Sequence, residues 1–324
     1  MTSEPSPIGL SGVAGVLPSQ SRSLAELAGD GLLTSTPDVL SAFGFDRAYV
    51  CDEACTVEQM ALTAASSAMT EAGLGPHEID IVIWASARAE NHVYAAGPSC
   101  ERRDVVLDGF RYVSAWLQNA LDLDHADVMA VAQQGCSTMF SALRVAHAIL
   151  RAEPNRRHVL CVAADALPVG AHREVLYNVI SDAASAVVVS RGCPTDRWIG
   201  ARQLSKGCYW DPSACGPEII AAYFPTARAV ITELLRDHSL RSGDVDVVVP
   251  TGVNRASWDI LIRLVGIPPD RVRHSIPSFG HTLTSDTFLF LQCLRRQQRL
   301  ARGARILLFT YGFGSSWSAI LLEH

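Results

Sequence analysis

A cysteine at a strand-to-helix turn is the residue of this sequence best placed to do chemistry. The apolar, strand-like run Asp127–Ala132 breaks at Gly135, and a helical pattern of apolar residues begins just after Cys136. A cysteine at such a turn meets free backbone N–H groups and the positive end of a helix dipole, which favour the thiolate. Cys136 is therefore a candidate nucleophile, although a small buried apolar residue is the common role of an intracellular cysteine.

A histidine occupies the equivalent position in the second half of the chain. The run Asp270–Thr282 follows the pattern of Asp127–Ser137, with His281 where the first run has Cys136. The repeat is far longer than the unit of a solenoid, so it predicts two similar α/β halves. If these halves pack about a pseudo-two-fold axis, the turns that hold Cys136 and His281 face each other as a Cys–His pair.

The elements that must position this pair are predicted from periodicity and from start and stop signals. The predicted strands, besides the two runs above, are Ile8–Leu17, Glu78–Ala85, Val159–Asp165, Ala183–Ser190, Asp244–Thr251, Arg305–Tyr311 and Ser316–Leu322. The predicted helices include Ser23–Ala28, Thr56–Ala72 and Val113–Leu121. We expect an α/β fold with an N-terminal half, residues 1–190, that carries the cysteine and a C-terminal half, residues 191–324, that carries the histidine.

Composition excludes several classes of function. The chain has 324 residues, 48% of them hydrophobic, and a net charge of -6 with scattered basic residues, so we expect no nucleic-acid interface. No apolar run is long enough to predict a membrane span. The nine cysteines contain no CxxC pair, and the polar N-terminus does not resemble a signal peptide. These features predict free thiols in a cytoplasmic protein.

Seven short motifs occur along the chain in a characteristic order. They are Gly12–Pro18, Glu78–Val82, Gly135–Ser137, Ile180–Val188, Pro250–Asn254, Ser278–Thr282 and Tyr311–Trp317. In this order and spacing the chain resembles the thiolase superfamily, specifically its 3-oxoacyl-acyl-carrier-protein synthase III (KAS III) branch. The resemblance implies a five-layered αβαβα fold with two pseudo-symmetric halves, a homodimer, and a cysteine, here Cys136, that an acyl thioester acylates.

The resemblance also implies an oxyanion hole. Its donors would be the backbone N–H of Cys136 and an N–H of the glycine-rich turn formed by Gly312, Phe313 and Gly314, with Phe313 as the expected donor. Backbone donors aimed at a developing oxyanion lower a barrier by a few kcal/mol, roughly 2.7–4 for one donor.

The sequence departs from the condensing members of the family at two positions. Those members use a Cys–His–Asn set, in which histidine and asparagine stabilise the enolate left when a malonyl donor loses carbon dioxide. Here the family's histidine position is Thr251, and its asparagine position is His281. The hydroxyl of Thr251 cannot replace an imidazole, so decarboxylative condensation is disfavoured.

A single histidine opposite the cysteine suits acyl transfer. His281 can withdraw the thiol proton and then act as general base for a hydroxyl, amine or thiol that attacks the acyl-cysteine. The pattern resembles the atypical Cys–His–Asp acyltransferases of natural-product pathways. Asp286, Asn254 and Thr251 are the candidates for the third member. A structural role is the alternative for His281, and an acid near a helix start, such as Asp286, can simply complement the helix dipole.

The acyl donor is expected to be a carrier thioester, with no permanently bound cofactor and no metal. Members that use acyl-CoA carry a tryptophan and an arginine in the region that corresponds to Thr36–Phe45, which here contains neither. This favours the phosphopantetheine arm of an acyl carrier protein over CoA. Arg202, Arg255 and Arg263 are candidate basic contacts near the tunnel mouth.

Two other functions stay open at this point. One is a residual decarboxylative 3-oxoacyl synthase that uses His281 alone, and the other is a non-catalytic partner subunit of the same fold. Retention of Cys136 favours an enzyme. Two further histidines, His92 and His274, are expected to be surface or structural residues outside the catalytic set.

Overall fold

The computed structural model describes residues 6–52, 55–87, 110–273 and 279–324, and these contain thirteen strands and eight helices. The strands are β1 (Ile8–Val16), β2 (Ser21–Ser23), β3 (Arg47–Tyr49), β4 (Ile81–Ala85), β5 (Asp127–Val131), β6 (His158–Asp165), β7 (Glu174–Val175), β8 (Asn178–Val179), β9 (Ala183–Arg191), β10 (Arg197–Ser205), β11 (Val247–Val249), β12 (Arg305–Gly312) and β13 (Ser316–Glu323). The helices are α1 (Leu24–Gly29), α2 (Pro37–Ala42), α3 (Val57–Ala72), α4 (Val113–Ala120), α5 (Thr138–Ala152), α6 (Gly216–Asp237), α7 (Arg255–Val265) and α8 (Asp286–Arg296). Within these ranges, no helix has the length and apolar character needed to cross a membrane.

Nine strands form one mixed sheet, in the order β11-β12-β13-β10-β1-β9-β6-β4-β5. In one part, β1 is antiparallel to β9 and β9 to β6, whereas β6 is parallel to β4 and β4 to β5. In the other part, β10, β13, β12 and β11 repeat the first three of these pairings, two antiparallel and one parallel. The two parts join through the pair Gly9 and Arg197. The predicted internal repeat is therefore visible in the strand order. The division at residue 190 stays a prediction.

Three apolar clusters define five layers. One cluster packs α3 and α4 against the outer face of the part that contains β1, β4, β6 and β9. Another packs α6 and α7 against the outer face of the part that contains β11, β12 and β13. The third cluster places α5 and α8 between the inner faces of both parts. The predicted five-layered αβαβα fold is confirmed.

The central helices bring the two key turns together. Helix α5 follows the one-turn helix Gly135–Ser137, and α8 follows the one-turn helix Leu283–Ser285. Phe140 on α5 and Phe288 on α8 are buried with their ring centroids 5.7 Å apart. Because both helices start at the same end of this layer, the two turns come into contact. The pseudo-symmetric packing expected from the sequence is therefore what positions the site.

The middle of the strand predicted within Asp270–Thr282 lies outside the described residues, so this strand stays a prediction. At its start, Pro269–Arg271 forms one 3₁₀ turn, and Val272 makes an isolated parallel bridge to Val248 of β11. Residues 274–278, which include His274, lie outside the described residues, as does His92.

Several elements of the second half carried no prediction. Strand β10 mixes polar and apolar residues without a regular alternation, and α6 contains Pro225 in its interior, which interrupts a helical pattern in the sequence. A usable signal was present at the start of α6, where Pro217 follows Gly216, because proline is favoured in the first turn of a helix.

Removing the side chain of Phe288 should destabilise the whole chain, because it fills the layer shared by both halves. We expect Phe288→Ala to lower the free energy of unfolding by about 3–5 kcal/mol. Leu264→Ala on α7, where the side chain is 45% exposed, is the control and should change it by less than about 0.5 kcal/mol. Urea unfolding followed by circular dichroism measures both, and equal effects of the two substitutions would contradict the shared core.

Candidate active site

Cys136 lies in a sharp turn between β5 and α5. The turn uses two left-handed backbone conformations, Gln133 with φ of 66° and Gly135 with φ of 52°. Cys136 sits in the one-turn helix that follows and is 8% exposed. The sequence therefore placed the thiol correctly at the start of a helix, where backbone N–H groups gather.

The glycine-rich turn after β12 packs directly on the backbone of this cysteine turn. A Cβ at Gly312 would lie 1.9 Å from the carbonyl oxygen of Gln134 and 2.8 Å from the backbone nitrogen of Cys136. A Cβ at Gly135 would lie 2.5 Å from the backbone nitrogen of Phe313. Only glycine fits at these two positions. The backbone of Phe313 thus borders that of Cys136, while the oxyanion-hole role of Cys136, Gly312, Phe313 and Gly314 stays a prediction.

His281 is fixed by backbone pairing and faces the cysteine. Its N–H donates to the carbonyl of Val179 and its carbonyl accepts from the N–H of Ser181, both at 2.8 Å. The imidazole is 6% exposed, and its Nε2 lies 3.5 Å from the Sγ of Cys136. The Cys–His pair expected from the repeat is therefore present in the geometry.

Asp286 occupies the other side of the imidazole. Its Oδ2 lies 2.5 Å from Nδ1 of His281 and also accepts from the N–H of Gly252 at 2.7 Å. Its Oδ1 accepts from the N–H of Thr282 at 2.5 Å and from the Thr282 hydroxyl at 2.7 Å. When the ring of His281 is neutral and Asp286 accepts its Nδ1 proton, Nε2 presents its lone pair to the cysteine. The three side chains form one hydrogen-bonded series.

The charges of the series shift the pKa of His281. Burial on its own lowers the pKa of this imidazole, but the Asp286 carboxylate and the Cys136 thiolate, through charge and hydrogen bonds, raise it well above the ordinary value of 6.5. A protonated imidazole is thereby favoured near neutral pH. The cysteine then has the ionic partner that a nucleophilic thiol requires.

The other two candidates for the third member lie in the site but do not contact Nδ1 of His281. Asn254 caps α7, where its Oδ1 accepts from the N–H and hydroxyl of Ser257, both at 3.0 Å. Thr251 is buried, lines the same cavity, and accepts at its carbonyl from the indole of Trp258. Of the three candidates, Asp286 is the one whose side chain hydrogen-bonds to Nδ1 of His281, and its role as third member stays a prediction.

A second buried acid anchors the turn after His281. Asp165, at the end of β6, accepts from the hydroxyl of Thr284 with one oxygen. Its other oxygen accepts from the Ser86 hydroxyl at 2.9 Å and the Ala87 N–H at 2.8 Å. Burial raises the pKa of this carboxyl. Asp165 ties the histidine turn to the N-terminal part of the sheet.

A cavity of about 540 Å³ opens onto Cys136 and His281. Its walls are mostly apolar, as in pockets that hold small organic ligands. The apolar lining comes largely from hairpin β7–β8 and from the start of α6: Val175, Leu176, Tyr177, Ile219, Ile220 and Phe224. Sequence reasoning missed these residues because it assigned no element to either segment.

The arginines proposed for carrier contacts lie in different settings. Arg202 is engaged in ion pairs with Glu233 and Asp237. Arg263 donates from Nε to the carbonyl of Asp259 at 2.9 Å. Arg255 is exposed at the start of α7, next to the cavity wall. In the described parts of the chain, no group of three or more His, Cys, Asp and Glu side chains could hold a metal ion.

Two family models match the chain. The model of 3-oxoacyl-[acyl-carrier-protein] synthase III matches residues 132–207, and the model of its C-terminal region matches residues 235–324. Cys136 lies in the first matched region, and His281 and Asp286 lie in the second.

Relatives and solved structures agree with these models. Beta-ketoacyl-[acyl-carrier-protein] synthase III of Sphingopyxis alaskensis is 28% identical over 338 residues, covering 97% of this chain and 98% of the relative. The structure of 3-oxoacyl-[acyl-carrier-protein] synthase III from Aquifex aeolicus VF5 matches with a TM-score of 0.82 and 21% identity, covering 98% of this chain and 100% of that chain. The acyltransferase ChlB3 matches with a TM-score of 0.81 and 20% identity, covering 98% and 97%. The structural matches show a shared fold.

The raised pKa of His281 should appear in the pH dependence of stability. A group whose pKa is higher in the folded than in the unfolded chain stabilises the fold fully below the unfolded pKa, here about 6.5, and this contribution is lost as the pH rises through the folded pKa. The free energy of unfolding should therefore fall more for wild type than for His281→Gln as the pH rises from about 6.5 into the alkaline range.

Urea unfolding at a series of pH values measures this difference. Asp286→Asn is the matched control, because the imidazole is kept while its main charge partner is lost, and its pH dependence should approach that of His281→Gln. A difference between wild type and His281→Gln that stays constant with pH would contradict the charged pair.

Proposed function

We propose that this chain, which belongs to the KAS III-like branch of the thiolase superfamily, is an acyltransferase. It takes an acyl group from a carrier thioester onto Cys136 and passes it, without decarboxylation, to a hydroxyl, amine or carrier thiol. The observation that carries the proposal is the buried hydrogen-bonded series Cys136–His281–Asp286. A nucleophile, a base and an orienting acid in this order are the parts needed for acyl transfer.

The first half-reaction starts from the thiolate of Cys136 and the protonated ring of His281. The thiolate attacks the thioester carbonyl, and the oxyanion is held by the backbone N–H groups of Cys136 and Phe313. When the bond between the carbonyl carbon and the carrier sulfur breaks, the imidazolium gives its proton to the departing thiolate. The products are acyl-Cys136, neutral His281 and a free carrier thiol.

Acylation itself prepares His281 for the second half-reaction. Two of the influences that raise the pKa of His281 are the charge of Cys136 and its hydrogen bond. Both end when the sulfur is acylated, so the pKa of the ring falls while Asp286 keeps it oriented. The ring can then take the proton of the acceptor as a new bond forms to the acyl carbon and the Cys136 thiolate leaves.

Condensation is the alternative favoured by the names of the relatives, such as the Sphingopyxis synthase. Against it stands the position where the condensing members carry their histidine, which is Thr251 here, on the wall of the same cavity. His281 is also paired with the Asp286 carboxylate, an arrangement that suits a general base. A non-catalytic partner subunit would not need the intact series.

The surroundings of the reaction are part of the same proposal. The donor is an acyl carrier protein with its phosphopantetheine arm, or acyl-CoA. The chain acts as a cytoplasmic homodimer in natural-product biosynthesis, with a small-molecule or carrier-bound acceptor. A mostly apolar cavity supports an apolar acyl group or acceptor.

Intact-protein mass spectrometry with a panel of acyl-CoA and acyl-carrier thioesters, including malonyl, tests the proposal. We expect a mass gain that keeps the malonyl carboxylate and is lost in Cys136→Ala. His281→Ala should slow transfer to an added acceptor by about 10²–10⁴-fold, the usual contribution of a general base. Asp286→Asn should also slow transfer to the acceptor.

Cys161→Ala is the matched control, because this buried thiol packs in the central core and does not line the cavity. It should leave acylation intact. Carbon dioxide release with a carbon–carbon product would assign the chain to the condensing synthases, and no adduct from any donor would favour the partner-subunit alternative.

A further inference from the structure

The tip of hairpin β7–β8 has a strained backbone. Val175 pairs with Asn178, so the loop consists of Leu176 and Tyr177 alone. Their φ angles are 50° and 60°. Positive φ at both central residues is the geometry of a type I′ turn, which Asn-Gly fills most readily. Bulky residues without a glycine's freedom are unfavourable there.

Packing inside the protein does not account for these two residues. Leu176 and Tyr177 are each 51% exposed, and both line the cavity that contains Cys136. The ring of Tyr177 has an aromatic neighbour, Phe43, at 5.3 Å between centroids. Half of each apolar side chain nevertheless remains in contact with water, so little burial offsets the strain. An observed backbone outlier of this kind beside a cavity indicates a functional constraint.

Polar contacts hold the hairpin in place against α7. The side-chain amide of Asn178 donates to the carbonyls of Val175 at 3.0 Å and Leu176 at 3.1 Å. Its Oδ1 accepts from the N–H of Asn254 at 2.7 Å. Asn254 in turn caps α7. The strained tip is therefore fixed relative to the cavity wall and presents its side chains in one arrangement.

We propose that Leu176 and Tyr177 determine acceptor specificity by contacting the apolar body of the acyl-accepting molecule. The inference rests on the proposed acyl transfer. The nucleophilic atom of an acceptor must reach acyl-Cys136 at the buried end of the cavity, so the rest of the molecule extends toward the exposed mouth. There it meets these two side chains and Ile220, which is 56% exposed. An aliphatic or aromatic alcohol or amine would remove all three from water.

The test replaces the tip with the residues that its backbone prefers. In Leu176→Asn/Tyr177→Gly we expect Tm to rise by a few degrees, because the strain is relieved. The affinity for 1-octanol and benzyl alcohol, measured by isothermal titration calorimetry, should fall by about fivefold or more. The ratio of transfer rates to 1-octanol and methanol should fall by a similar factor.

Two control variants separate strain from contact. Ser239→Gly relieves a positive φ of 58° at an exposed residue that does not line the cavity, so it should raise Tm without changing alcohol binding. Leu176→Ser/Tyr177→Ser removes the apolar groups but keeps the disfavoured conformation. It should weaken alcohol binding without raising Tm.

The outcomes separate this inference from the proposed function. Alcohol binding that is absent in wild type, or equal in wild type and Leu176→Asn/Tyr177→Gly, would overturn the role of the hairpin even if Cys136 is acylated. Binding that depends on the hairpin in a chain that no thioester acylates would support the apolar site and reject acyl transfer.

Discussion

The buried carboxylate of Asp286 is the group on which the arrangement of the site depends. A carboxylate that is 4% exposed is costly unless donors surround it, and four donors do so here. Gly252 provides one, Thr282 two and His281 one. These donors come from two separate turns, after β11 and before α8. Satisfying one charge therefore fixes both turns and the orientation of the imidazole between them.

Contacts between the two halves hold the remaining groups. The Gly312 turn lies against the Gln134 carbonyl, at a distance that excludes any side chain. His281 pairs through its backbone with the segment that leads into β9. Thr284 is bonded to Asp165 at the end of β6. Each contact joins a turn of one half to the other half, so the geometry of the site is a property of how the halves pack, more than of either half alone.

The sequence predicted the parts of this arrangement that depend on local pattern. Apolar periodicity identified most strands of both halves. The repeat between the halves predicted that Cys136 and His281 face each other. The choice among Asp286, Asn254 and Thr251 could not be made, since it depends on where α8 begins relative to the turn after β11. The cavity wall was missed for a different reason. Leu176 and Tyr177 give no turn signal in the sequence. Their conformation depends on contacts from elsewhere in the hairpin, such as those of Asn178.

The distance in sequence between the two facing side chains has a consequence for folding. Cys136 and His281 are 145 residues apart, and their contact closes only when α5 and α8 share the central layer. Such non-local contacts form slowly, after local helices and hairpins. Until that docking, Cys136 lacks the imidazole that faces it in the folded chain. The sulfur therefore gains this neighbour only at the end of folding, once the helices of both halves have docked.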